Sequence, residues 1–170
     1  MNIIKLESKD WEKYKDIRLE ALKSEPLAFA QMLEEAAFRS EQAWIDDLIS
    51  SQEKDGGPIY FAEDSSKIIG MAGAYIEKEK LKLRHVANIW GVYISRIHRG
   101  KGAGKKLLQT LIKDLELRNE IKKIKLAVNP IQKEAFNLYK ALGFEEVGKH
   151  KNELKIGDKY YDEILLEKLI

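Results

Sequence analysis

The chain has 170 residues, 44% of them hydrophobic, a length that supports one domain with a real core and leaves little for a second. It holds no cysteine and only three histidines, which excludes disulfides, cysteine-ligated zinc and thiol nucleophiles and argues against a histidine-based metal cluster. Its apolar runs stop short of the ~18–20 residues of a membrane span, and the opening MNIIKLESKD lacks a secretory core, so no membrane association and a cytoplasmic location are expected. The net charge of +2 is unevenly spread: from Lys80 to Lys113 there are nine Lys and Arg and no acid, so the rest of the chain sums to −7. Charge gathered in this way, beside glycines and apolar runs, points to an anionic ligand.

In chain order, Ile3, Ile4 and Leu6 suggest a short strand, after which Ser8 is a plausible N-cap for a helix carrying Trp11, Tyr14, Ile17, Leu19 and Leu22. Pro26 ends it. Residues 30–52 read as a second, acidic helical region that stops at the turn Asp55-Gly56-Gly57-Pro58. Two strand-like runs, Ile59 to Glu63 and Ile68 to Ile76, flank the polar turn Asp64-Ser65-Ser66-Lys67 and predict a hairpin. Val86 to Ile94 is a strand rich in β-formers, and Leu107, Leu108, Leu111 and Leu115 give the next segment a helical stripe. Strands over Ile121–Val128, Phe144–Val147 and Tyr160–Leu169, with a helix over Gln132–Leu142, complete a mixed α/β (α+β) pattern around one sheet.

Between that strand and helix lies Arg99-Gly100-Lys101-Gly102-Ala103-Gly104-Lys105. A helix N-terminus presents unpaired N–H groups and partial positive charge, and glycines let an anion approach the backbone. The loop suits a pyrophosphate. Its spacing is neither the P-loop G-x-x-x-x-G-K-[ST] nor the dinucleotide G-x-G-x-x-G, so those nucleotide readings fall. No aromatic–basic RNA motif or basic recognition helix accompanies the charge, and no nucleic-acid partner is expected.

Arg99-x-x-Gly102-x-Gly104 resembles the pyrophosphate motif, Gln/Arg-x-x-Gly-x-Gly/Ala, of the GNAT superfamily of acyl-CoA-dependent N-acetyltransferases. Val92-Tyr93-Ile94 resembles the end of that family's central strand, and Ala135-Phe136-Asn137-Leu138-Tyr139-Lys140-Ala141-Leu142-Gly143-Phe144 its closing signature, A-x-x-L-Y-x-x-x-G-F. The likeness is strong from about Ile59 to Val147; the N-terminal third matches loosely, through Arg18, Ala21, Leu22, Pro26 and Phe29.

The resemblance implies a single GNAT-like domain over residues 1–170. It would have a mixed sheet of six to seven strands flanked by helices, with a splayed central strand at the acyl-CoA site. Residues 1–58 would be mainly acceptor-side helices, 59–148 the acetyl-CoA core and 149–170 a C-terminal strand region. It implies an N-acetyltransferase that moves acetyl from acetyl-CoA, without a metal, to a primary amine on a small molecule or peptide through a tetrahedral intermediate. The alternative is a non-catalytic acyl-CoA sensor on the same fold. Either a monomer or a homodimer fits.

Within that resemblance Tyr139 becomes the general acid to the coenzyme A thiolate. Val92, Tyr93, Ile94, Arg99, Gly100, Lys101, Gly102, Ala103, Gly104 and Lys105 become coenzyme contacts, with backbone N–H groups at Val92–Ile94 polarising the acetyl carbonyl. Asn129 and Gln132 are further coenzyme contacts, Gln132 standing where the family often has Asn. The central strand has no carboxylate, since Asn88 and Trp90 occupy the usual places, which leaves His85 as candidate base with Glu77 and Glu79 nearby. Residues 1–64 carry a net −7, and Glu34 and Glu35 are candidates for drawing in a cationic amine.

Overall fold

In the computed structural model, residues 1–53 and 56–170 are described. Seven strands form one mixed sheet in the spatial order β1-β2-β3-β4-β5-β7-β6. They are β1 (Asn2–Ile4), β2 (Ile59–Asp64), β3 (Lys67–Ile76), β4 (Val86–Ile94), β5 (Lys123–Val128), β6 (Glu145–Ile156) and β7 (Lys159–Leu169). The helices are α1 (Trp11–Ser24), α2 (Leu33–Ala37), α3 (Glu41–Gln52), α4 (Ala103–Glu116) and α5 (Lys133–Ala141). Every neighbouring pair of strands is antiparallel except β4 and β5.

Two apolar clusters use the sheet. Leu107, Leu108, Leu111 and Leu115 of α4 pack with Tyr139, Ile124, Leu126 and Leu166, while Tyr14, Ile17 and Leu22 of α1 pack with Trp44, Leu48, Phe61 and Met71. The hairpin turn forms as its polar residues predict: Ser65 and Ser66 both take positive φ, the mirror-image turn that matches strand twist.

The feature that shapes the site is in β4. Met71 pairs with Tyr93 and Gly73 with Trp90, so Gly91 and Val92 together oppose Ala72, a β-bulge with Gly91 at φ +67°. On its other edge β4 pairs with β5 only through Val86, Ala87 and Asn88. Both strands run on unpaired with each other, to Ile94 and to Val128, while β5 stays joined to β7 over its whole length. The sheet therefore opens into a wedge, as the splayed central strand requires.

Several boundaries differ from the sequence reading. The first helix is entered through a 3-10 turn, Ser8–Asp10, whose start is capped by Glu7 and not by Ser8. The region 30–52 is two helices, because Phe38–Ser40 break it and the Ser40 hydroxyl caps α3 by accepting from the Ala43 N–H. The fifth strand begins at Lys123, not Ile121. The short strand expected over Phe144–Val147 is a twelve-residue strand, held by pairing with β7 although its own residues are mostly polar. Asp55, part of the expected turn, lies outside the described residues.

Candidate active site

The wedge widens into a cleft of about 830 Å³, within the range of small-molecule sites. Ser24 to Phe29, at the end of α1 and beyond, form one wall; Val92, Tyr93 and Ile94 line it from β4. Arg99, Gly100, Gly102, Ala103, Gly104 and Lys105 line it from the loop, and Gln132, Ala135 and Leu138 from α5.

Gly100 and Gly102 hold φ of +72° and +81°, and a Cβ at either would meet nothing within 4 Å, so the backbone there faces open space. Gly102 is the N-cap of α4, and the first intrahelical bond runs from the Lys106 N–H to its carbonyl. The amides of Ala103, Gly104 and Lys105 are thus the helix's unpaired donors. Charge around them is partly tied up. Arg99 donates through Nε to the Ile94 carbonyl at 2.8 Å and bridges Glu25 at 3.0 Å; Arg96 bridges the same carboxylate at 3.1 Å. Lys101 is exposed and does not line the cleft.

Backbone direction follows from the ladder. The Ser95 N–H donates to Ile69 on β3, so alternation turns the N–H and C=O of Ile94 away from β3 towards the opening. Arg99 takes the carbonyl and leaves the N–H facing the wedge. Across the wedge, Asn129 is 3% exposed; its Oδ1 accepts from the Ile131 N–H at 3.0 Å, and its Nδ2 is buried with no partner among the described residues.

Tyr139 is 6% exposed and packs edge-on to Phe144. It stands one turn after the cleft-lining Ala135, on the same face of α5, and does not itself line the cleft. Burial alone pushes its phenol well above the ordinary tyrosine value.

Other expected site residues lie elsewhere. His85 is exposed, at the opposite end of β4, about 23 Å along the strand from Val92. Its carbonyl accepts from Lys122 and Lys123, which ties it to the sheet's far end. Glu77 bridges Lys80 at 3.3 Å. Glu34 and Glu35 are exposed in the first turn of α2, and Glu35 caps that helix by accepting from the Met32 N–H at 2.9 Å. None of these acids or His85 lines the cleft.

Sequence reasoning missed Glu20, whose Oε1 accepts from the Tyr93 hydroxyl at 3.0 Å and from the Ser95 hydroxyl at 2.6 Å. It also missed Glu25. Both carboxylates sit on or just past α1 and brace the strand and loop that form the cleft; a sequence shows them only as polar positions. Among the described residues no cluster of His, Cys, Asp or Glu could hold a metal, and no helix is long and apolar enough to cross a membrane.

A bulged central strand, a wedge beside it and a glycine loop opening a helix are the features that the resemblance to acyl-CoA-dependent acetyltransferases implies. Residues 14–144 match the Acetyltransferase (GNAT) family, and the chain belongs to that family. Among curated relatives, N-acetyltransferase family 8 member 2 of Rattus norvegicus is 25% identical over 107 residues, which cover 63% of this chain and 47% of the rat protein. A family 8 member 5 protein of Mus musculus is 27% identical over 104 residues, or 61% of this chain and 45% of its own. The matched stretches thus span about half the length of these curated relatives.

Solved structures share the fold over nearly the whole chain. A GNAT-family acetyltransferase from Streptococcus pneumoniae superposes with a TM-score of 0.87 at 20% identity, covering 99% of both chains. A phosphinothricin acetyltransferase from Sinorhizobium meliloti, in complex with AcCoA, gives 0.83 at 22% identity, covering 99% of this chain and 88% of its own.

Proposed function

We propose that the chain is an acetyl-CoA-dependent N-acetyltransferase that transfers acetyl directly to a primary amine on a small molecule or peptide. The observation that carries this reading is the wedge between β4 and β5 leading to the unpaired amides behind Gly102. The residues present fit the coenzyme in two independent ways: the backbone at Gly100 and Gly102 opens onto free space, and Asn129 Nδ2 is a buried donor lacking an acceptor. In this reading Ala103, Gly104 and Lys105 hold the pyrophosphate through their N–H groups, with Arg99 and Lys105 adding charge.

The bound thioester supplies an activated acetyl group. The Ile94 N–H, fixed by the strand, polarises its carbonyl without reorganisation. Tyr139, protonated at neutral pH, donates to the thiolate as it departs. The strand offers no carboxylate for a base, and the ammonium loses its proton to water at the open mouth of the cleft.

The test is thiol release from acetyl-CoA with a panel of amines, with products identified by mass spectrometry and compared with Tyr139→Phe. Acetylated amine that depends on Tyr139 supports the reading; tight coenzyme binding with no turnover for any amine overturns it in favour of a sensor.

A further inference from the structure

Arg18 lies on the apolar stripe of α1, in step with Tyr14, Ile17, Ala21 and Leu22, and is only 6% exposed. Its guanidinium sits 4.9 Å from the ring centre of Phe29 and 5.5 Å from that of Trp90. Phe29 is part of the cleft wall, and Trp90 immediately precedes the bulge. Nη1 lies 3.6 Å from where a Cβ on Gly91 would stand, one residue before the cleft-lining Val92.

The partners of this cation are unusual for a buried charge. Nε and Nη2 both donate to one neutral oxygen, Gln31 Oε1, at 3.3 and 3.0 Å, and Nη1 is buried with no partner among the described residues. Asp47, the acid whose charge acts on it, is taken by Arg39 at 2.8 Å and by the Tyr14 hydroxyl at 3.1 Å. Desolvation lowers the Arg18 guanidinium from its ordinary value, as expected for a charge with an amide as its acceptor. Buried cations are ordinarily matched by an anion, and planar guanidinium is suited to grip a carboxylate by two parallel bonds. Among the described residues, the fold supplies the cation, two aromatic walls and an open donor beside the central strand, but no anion bonded to it.

We propose that Arg18 is an acceptor subsite that binds the carboxylate of an amine substrate, so that the acceptors of this chain are amino acids or closely related carboxylate-bearing amines. The inference rests on the transferase reading above. Gln31 is half-buried in the irregular segment between Ala28 and α2, and its side-chain oxygen is the guanidinium's bonded acceptor. A carboxylate entering from that side replaces one neutral acceptor with two charged ones and supplies the missing partner of Nη1. Phe29 and Trp90 then flank the acceptor, with its amino group directed along the wall towards Val92.

The test pairs acceptors that differ only in the anion: the common α-amino acids, their amides and the matching decarboxylated amines, leucine, leucinamide and 3-methylbutylamine among them. Acids should be favoured in kcat/KM by about 10- to 100-fold, the worth of a charge-assisted pair. Arg18→Met should lower kcat/KM for the acids by a similar factor, and by clearly more than for the neutral amines, whereas a merely structural role would lower both alike. Gln31→Glu is the second variant, because it supplies an anion from the protein itself and keeps Arg18 in place. It should raise KM for acids at least about tenfold without lowering Tm.

Equal or better use of the amides and neutral amines across the panel, or an unchanged KM for acids in Gln31→Glu, overturns the proposal. If no amine is acetylated, the transferase reading fails and the subsite is judged by binding. N-acetylleucine should then bind the coenzyme A complex at least about tenfold more tightly than N-acetylleucinamide, and Arg18→Met should erase the difference. Equal binding of the two also overturns the proposal.

Discussion

Replacing Tyr139 by Phe removes one oxygen from a residue that is 6% exposed and whose hydroxyl has no hydrogen-bond partner among the described residues. The ring keeps its edge-on contact with Phe144, so no cavity forms and stability should change by less than ~1 kcal/mol. Catalysis should respond differently. If the phenol donates to the leaving thiolate, kcat should fall by about 10²- to 10⁴-fold, the usual worth of a positioned acid, which corresponds to about 3–5 kcal/mol of barrier. The amides proposed to hold the pyrophosphate lie on another element, so the Kd for acetyl-CoA should stay within about threefold, an effect under ~1 kcal/mol. Stopped-flow thiol release at saturating coenzyme, with a melting curve and calorimetric Kd on the same preparations, reads all three. A variant that keeps a third or more of the original kcat refutes the assignment. A loss of activity that follows a lowered Tm also removes its support.

Gly102→Ala places a side chain at φ +81° with nothing to clash against, so its cost is conformational, about 1–2 kcal/mol, read as a lower Tm together with weaker acetyl-CoA binding. An unchanged Tm would mean that the left-handed cap is not needed. Glu25→Gln should free Arg96 and Arg99 for phosphate and lower the Kd for acetyl-CoA about two- to fivefold, since a surface pair is worth ~0–1 kcal/mol; calorimetry showing weaker binding would contradict this. Tyr14, Tyr60, Tyr93 and Tyr139 are all raised, chiefly by burial. Because the unfolded chain releases these protons first, the stability tied to them is complete below pH ~10 and is lost as pH rises beyond it. At pH 11 the tyrosinate absorbance of folded protein should therefore fall short of that in denaturant; equal absorbance while circular dichroism remains native would refute the burial.

The coenzyme side was legible in the sequence because its signals are local. The β-branched and aromatic run Val86–Ile94 has the boundaries of β4, and the leucine spacing and glycines mark α4 and its cap. What escaped depends on pairing at a distance. The twelve residues of β6 are mostly polar, with Val147, Leu154 and Ile156 the only apolar side chains, and they are held as a strand by pairing with β7. One glycine inside a strand run cannot reveal that Gly91 and Val92 together oppose Ala72. His85 looked close to the chemistry because it adjoins the central strand in sequence, yet that strand's length separates it from the cleft. Glu34 and Glu35 read as acceptor-side charge, and Glu35 spends its carboxylate on capping its own helix. Arg18 did leave a trace: a cation in the middle of the stripe formed by Tyr14, Ile17, Ala21 and Leu22. A helical wheel marks that position as buried, but the lack of an anionic partner appears only in three dimensions.

The most direct measurement of the central claim is titration of acetyl-CoA into isotopically labelled protein, followed by backbone amide NMR. The account predicts that the largest shifts fall on Gly100 to Lys105 and on Ile94, with the Asn129 side-chain amide moving at the same coenzyme concentration. Shifts that leave these groups unmoved, or that cluster at the far end of β4 around His85, would contradict it.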